Sequence, residues 1–280
     1  MSALAVGRLL IVGTGLIGTS IARALRRRAD APYIVGMDLP AALDRHGREA
    51  FDDLRPATAA VPDYDLAVLA CPVDRMPEWL RRFAADRPST PVTDVGGVKR
   101  APAAAAAAAG VRAFVGGHPM AGAARPGPAL ASASLFDGRP WFVVPGAGPA
   151  EATALVAALA SACGATPLTT TAEAHDALVA AMSHLPQLAS SLLMQTVSDR
   201  CDDAGIACAG AGLRDATRLA SSSAEVWQPL VAANADHLAP LLIDLADRLR
   251  AAAAELGDGP AVAELFAAAN RARRRLEPPL

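Results

Sequence analysis

The sequence predicts an α/β protein: a doubly wound, mostly parallel sheet followed by an all-helical domain. Three observations carry that reading. Short apolar runs of strand character alternate with helical stretches through residues 1–169. A glycine-punctuated turn joins the first of these runs to the first helix. Beyond about residue 170 the strand-like runs cease, and apolar residues recur at helical spacing through residues 170–280.

The expected strands, in order, are RLLIV (8–12), YIVGM (33–37), LAVLA (66–70), PVTDV (91–95), AFVG (113–116) and WFVVP (141–145). The alanine run at 103–110 is a helix opened by Pro102 and closed by Gly110, because proline is tolerated in a first turn and glycine favours the residue after a last one. A helix over about 149–163 and a short segment at 165–169 complete the sheet. In the second domain Leu238, Leu241, Leu242, Leu245 and Leu249 form one helical stripe, read as core or as the interface of a homodimer.

Composition narrows the function classes. With 52% hydrophobic residues the 280-residue chain can bury a large core. The 26 basic and 28 acidic residues are interleaved and leave a net charge of -2, so nothing marks a nucleic-acid or anionic membrane partner. Cys71, Cys163, Cys201 and Cys208 lack metal-ligand spacing, which points to reduced thiols in the cytoplasm and to no metal. The apolar N-terminus is interrupted by Arg8 and by glycines, and reads as a buried strand rather than a signal peptide. Because no unbroken apolar run reaches about 18 residues, no membrane span is expected.

The turn after the first strand reads VGTGLIGTS, with Gly13, Gly15 and Gly18 in GxGxxG spacing. The first glycine permits the tight turn, the second lets a pyrophosphate approach the backbone, and the third lets helix and strand pack closely. This is a Rossmann-type dinucleotide signature, with the helix N-terminus offering free N–H donors to phosphate. Asp38 stands at the end of the second strand, where a carboxylate binds ribose hydroxyls. It would repel a 2′-phosphate, and Leu39 and Pro40 supply no compensating cation, so NAD is preferred to NADP. The expected cofactor set is Gly13, Thr14, Gly15, Leu16, Ile17, Gly18, Asp38, Pro72 and Asp94.

Five segments make the reading more specific: GTGLIGTS (13–20), VTDVGGVK (92–99), FVGGHPMAG (114–122), EAHDALVAAMSHLPQ (173–187) and GLRDATRLASSSAEVW (212–227). Together they resemble the prephenate and arogenate dehydrogenase family, also called cyclohexadienyl dehydrogenases, over residues 7 to about 250. The resemblance implies a dinucleotide-binding domain (1–169), a helical substrate-binding and dimerisation domain (170–280), and NAD-dependent oxidative decarboxylation of a dicarboxylate cyclohexadienol. It further implies that His118 accepts the proton of the ring C4 hydroxyl, a task suited to a neutral imidazole. FVGGHPMAG then reads as a loop bringing backbone close to nicotinamide and substrate.

By the same resemblance Arg218 clamps a substrate carboxylate, which a guanidinium can meet bidentately. Arg214 is either a second substrate cation or half of a surface ion pair. His184 and Ser183 face the substrate cleft, unless His184 only packs between helices; Gln187 joins them as a substrate contact. His175 is assigned to the domain junction, and Trp227 and Asn234 to packing.

The departures from the family pattern lie on the substrate side. Gly97 replaces the serine that orients the catalytic histidine, Ala123 and Ala124 followed by Arg125 replace polar residues, and Gln187 replaces a second histidine. The 280 residues also leave no room for a fused mutase or ACT domain. The leading expectation is therefore a prephenate or arogenate dehydrogenase of tyrosine synthesis. A 4-amino-4-deoxyprephenate dehydrogenase of a specialised, antibiotic pathway comes second, and a catalytically idle NAD-binding regulator last.

Overall fold

In RLLIV, successive side chains point to opposite faces, and all four apolar ones are buried. Leu9 and Ile11 join a cluster with Ile21 and Leu25, while Leu10 and Val12 join another with Trp79, Leu80 and Phe83. A strand apolar on both faces belongs inside a helix-covered sheet. The computed structural model, which describes residues 4–43, 47–122 and 127–276, places it there.

Eight strands form one sheet: β1 (Arg8–Val12), β2 (Tyr33–Asp38), β3 (Asp53–Pro56), β4 (Leu66–Leu69), β5 (Val92–Asp94), β6 (Phe114–Pro119), β7 (Pro140–Val144) and β8 (Thr166–Thr169). Their order is β3-β2-β1-β4-β5-β6-β7-β8. All neighbours run parallel except β6 and β7, which are antiparallel. The crossover helices are α1 (Leu16–Arg26), α3 (Met76–Asp86), α4 (Arg100–Ala109) and α5 (Ala150–Ala162), with a single turn α2 (Pro40–Leu43) after β2. Gly110 ends α4 in the left-handed region, at φ 85°.

Two differences from expectation have physical causes. Asp53–Pro56 was not anticipated, because DLRP has no apolar alternation; it pairs only with β2, at the sheet edge, where half-buried residues suffice. The segment around His118 is strand, not loop: β6 runs through Pro119, with Gly117 opposite Val143 and His118 opposite Phe142.

The remainder is helical: α6 (Ala172–Val179), a π-helical turn at Ala180–His184, α7 (Leu185–Ser198), α8 (Asp203–Ala207), α9 (Ala211–Ala216), a 3-10 turn at Arg218–Ser221, α10 (Ala224–Ala233), α11 (Ala235–Ala254) and α12 (Gly259–Arg273). The chain packs as two units, Met1–Ala235 and Asp236–Leu280. The helical stretch Ala172–Ser198 is long and apolar enough to cross a membrane by length and composition. Along it the polar residues His175, Asp176, His184, Gln187 and Ser190 are buried in the fold, while Leu178, Met182, Leu192 and Leu193 are exposed. In the second unit Ile243, Leu249, Leu256, Leu265 and Phe266 are exposed.

Candidate active site

The glycine turn is shaped by steric contact. Gly13 has φ 100°, and a Cβ there would lie 2.5 Å from the Ala70 carbonyl oxygen. A Cβ on Gly18 would lie 2.0 Å from the Gly13 oxygen, so close packing of α1 on β1 requires glycine. At Gly15 a Cβ would meet nothing within 4 Å; this position faces open space, as the approach of a ligand demands. Gly15 also caps α1 without a side chain, and no acid occupies the first turn, so Leu16, Ile17 and their neighbours keep free N–H donors for an anion.

Thr14 donates its backbone N–H and its hydroxyl to Asp38 Oδ2, at 2.7 and 2.8 Å, and Leu39 N–H donates to Oδ1 at 2.7 Å. A carboxylate has about four acceptor sites. Three are used, which leaves one on Oδ1 for a ribose hydroxyl. Gly13, Asp38 and Pro72 line a cavity of about 1130 Å³ at the carboxyl ends of β1, β2 and β4, where the strand order reverses and doubly wound sheets bind nucleotides. Tertiary structure also brings Arg75 and Arg82 to its wall. Arg82 is already engaged, donating to the Ala57 and Ala59 carbonyls and stacking over Trp79 at 4.1 Å.

Asp94 was expected to touch the cofactor, but the fold turns its side chain inward. It is fully buried, paired with the equally buried Lys99, and accepts N–H bonds from Gly96 and Gly117 at 2.9 and 3.2 Å. Lys99 Nζ also donates to the Gly117 carbonyl. This pair sits beneath β6 and explains the two glycines before His118. A Cβ on Gly117 would be 2.5 Å from the Asp94 backbone carbonyl oxygen, and one on Gly116 would be 3.0 Å from Lys99 Cδ.

His118 sits half-buried on β6, and its Nδ1 lies 2.9 Å from His175 Nε2. His175 Nδ1 is in turn 2.8 Å from Asp176 Oδ1. Asp176 also accepts from the Lys99 and Arg100 backbone N–H groups and from Arg100 Nε. Burial alone would raise its pKa, but bonds from His175, Arg100 and Lys99 outweigh burial and hold it below the usual carboxylate range. The carboxylate is therefore charged and takes the Nδ1–H of His175. With His175 neutral, its Nε2 accepts, His118 Nδ1 donates, and His118 Nε2 is left as a bare lone pair. Burial first, then the charges of Lys99, His175 and His184, push the His118 pKa well below the usual imidazole value, which keeps this base neutral.

The other expected substrate residues divide. His184 is almost fully buried: its Nδ1 accepts from Asn234 Nδ2 at 3.2 Å, it bonds the Gly97 backbone, and its ring stands edge-on to Trp227 at 5.7 Å. Its burial and the Asn234 bond fit the packing role between helices. Gln187 is likewise structural. Its Nε2 donates to the Leu219 carbonyl at 2.7 Å and its Oε1 accepts from Ser222 at 3.1 Å, tying α7 to the Arg218 turn. Arg218 is exposed at the start of that turn; its carbonyl accepts from the Ser221 hydroxyl at 3.0 Å, and its guanidinium bonds nothing among the described residues. Arg214 is exposed on α9 and donates to the Ala209 carbonyl at 3.3 Å rather than to an acid. Ser183 lies half-buried in the π-helical turn, a feature frequent at functional sites.

Ala123, Ala124 and Arg125 lie outside the described residues. At Gly97 a Cβ would fall 3.3 Å from both Leu230 methyls, so Leu230 fills the place where a side chain at residue 97 would begin. Sequence reasoning missed the Lys99–Asp94 pair and the role of His175; the signals present were the single lysine of the chain and the adjacent His-Asp of EAHD. Among the described residues no cluster of three or more His, Cys, Asp or Glu could hold a metal ion.

Comparison with known proteins identifies the family of the chain. A family model described as prephenate dehydrogenase, nucleotide-binding domain, matches residues 21–168, and one described as prephenate dehydrogenase, dimerization domain, matches residues 171–267. The probable prephenate dehydrogenase NovF of Streptomyces niveus is 35% identical over 81% of this chain; the chain spans 62% of that relative's length. The cyclohexadienyl dehydrogenase of Zymomonas mobilis is 32% identical, with 95% of each chain covered. A crystal structure of prephenate dehydrogenase from Aquifex aeolicus, in complex with hydroxyphenyl propionate and NAD+, superposes with a TM-score of 0.88 over 99% of this chain and 100% of that one, at 23% identity, and shares its fold.

Proposed function

Because the chain belongs to the prephenate dehydrogenase family, we propose that it catalyses NAD-dependent oxidative decarboxylation of prephenate or arogenate, giving 4-hydroxyphenylpyruvate or tyrosine and CO2. The observation that carries the reading is the state of His118: a neutral imidazole with Nδ1–H committed to His175 and Nε2 free to accept a proton. The residues of the glycine turn and Asp38 fit a dinucleotide, whose nicotinamide, when bound, supplies the hydride acceptor. Hydride leaves ring C4, the C4 hydroxyl proton passes to His118 Nε2, CO2 leaves C1 as the ring becomes aromatic, and the phenolate oxygen takes a proton back. The Arg218 guanidinium, without a partner among the described residues, is available to a substrate carboxylate. Residues 1–169 bind nucleotide in this reading, and residues 170–280 bind substrate and dimerise. The exposed apolar residues of α11 and α12 support dimerisation, as does the description of the second family model. A cytoplasmic location fits four free cysteines.

The second reading, a 4-amino-4-deoxyprephenate dehydrogenase, is favoured by Gly97, where Leu230 stands in place of a hydroxyl. His175 weakens that argument, because it orients His118 without a serine. Following NADH formation with prephenate, arogenate and 4-amino-4-deoxyprephenate side by side decides between them. Turnover of none would overturn both and favour an idle NAD-binding protein.

A further inference from the structure

The chain of three titratable groups runs from half-buried His118 to His175 and Asp176, both fully buried, and with His175 neutral it has one orientation of donors and acceptors. We propose that His118 does not retain the proton it takes from substrate but passes it on, so that the positive charge comes to rest on His175 against Asp176. The proposal rests on the dehydrogenase reading above and adds a second proton-carrying residue to it.

The balance is simple. The substrate hydroxyl proton bonds to His118 Nε2 as the C4 oxygen becomes a carbonyl. His118 Nδ1–H transfers to His175 Nε2 along the existing 2.9 Å contact. His118 ends neutral with its tautomer reversed, and His175 ends as an imidazolium whose Nδ1–H stays bonded to the Asp176 carboxylate at 2.8 Å. The hydride of the same step goes to NAD, and once CO2 has left, the proton returns through the same contacts to the phenolate oxygen.

Geometry and charge favour the outer position. His118 faces the ammonium of Lys99, and burial and that charge both oppose an imidazolium there. His175 is in direct contact with a carboxylate that cannot easily be neutralised, because Lys99 and Arg100 donate to it as well. The groups facing the pair are Lys99 and Arg100 from the start of α4, Asp176 on α6, His184 in the π turn, and the Phe142 ring on β7, which stands edge-on to His175 at 5.2 Å. Of these only Asp176 is an acid, and it touches His175 rather than His118.

Two measurements test the relay. Nitrogen-15 NMR of the intact protein, titrated to acid without substrate, is expected to show His175 becoming doubly protonated while His118 keeps one bare nitrogen. Double protonation of His118 first would overturn the proposal, whatever the substrate proves to be. The second test compares His175→Gln with wild type on whichever substrate wild type turns over. A glutamine oxygen can accept from His118 Nδ1–H and hold the ring, but it cannot take a proton onward. We expect kcat to fall about 100-fold, the low end for a proton-transfer partner, with KM little changed and the acid limb of the pH profile moved to lower pH. A kcat near wild type would show that His175 only positions His118. If wild type turns over no substrate, the dehydrogenase reading fails, and the NMR result still decides where the charge rests.

Discussion

Lys99 and Asp94 form an ion pair whose side chains are both entirely shielded from solvent, beneath the strand that carries His118. Asp94→Ala would leave the lysine charge buried and unpaired, and should destabilise the fold by about 3–5 kcal/mol. Urea denaturation checks this. A variant with unchanged stability and weakened NAD binding would restore Asp94 to the cofactor site.

Gly15 and Gly18 should separate binding from folding. Gly15→Val places its Cβ in open space, so the melting temperature should hold while NAD affinity collapses. Gly18→Ala drives a Cβ into the Gly13 carbonyl and should lower the melting temperature itself. Calorimetry and cofactor titration on both proteins would expose the opposite pattern.

Arg218→Ala should raise KM and lower kcat/KM by about 2 kcal/mol or more, roughly 30-fold, the cost of losing a charged contact to a carboxylate. Gln187→Leu, which removes the bonds to Leu219 and Ser222, should raise KM more mildly with kcat nearly intact. Steady-state kinetics decides; a kcat effect without a KM effect would place the clamp elsewhere.

His184 is buried neutral, with burial the main cause of its lowered pKa. Its pKa is lower folded than unfolded, so between those two values the unfolded chain binds more protons. Its contribution to stability is complete above about pH 6.5 and is lost as pH falls through the folded value. Unfolding free energy measured across this window should drop toward acid. His184→Gln should flatten that slope, and an unchanged slope would assign the acid sensitivity to other groups.

His118→Asn should reduce kcat by about 100-fold or more while NAD affinity stays nearly constant, since the ring touches none of the cofactor turn. Stopped-flow NADH formation and cofactor titration read the two quantities separately. Near-normal turnover would remove His118 from the chemistry.

Much of this protein was legible in one dimension because its signals are local. Two-residue alternation in RLLIV, the glycine spacing at 13–18 and helical spacing after residue 170 are properties of neighbours in the chain, and the structure realises each of them. Edge strand Asp53–Pro56 was not legible, because an edge imposes little pattern on its residues.

The site was legible as motifs but not as contacts. His118, Arg218 and Asp38 stood out by type and setting. The sequence could not say that Asp94 faces inward to Lys99, that His184 and Gln187 expend their polar atoms inside the protein, or that His175, 57 residues from His118, is the group that orients it. Sequence by itself determined the fold class and the nucleotide turn, since those depend on backbone periodicity and on the spacing of neighbours along the chain. Only the tertiary structure decided which polar groups are spent on one another and which remain free, because a hydrogen bond is settled by distances across the fold that spacing along the chain does not encode.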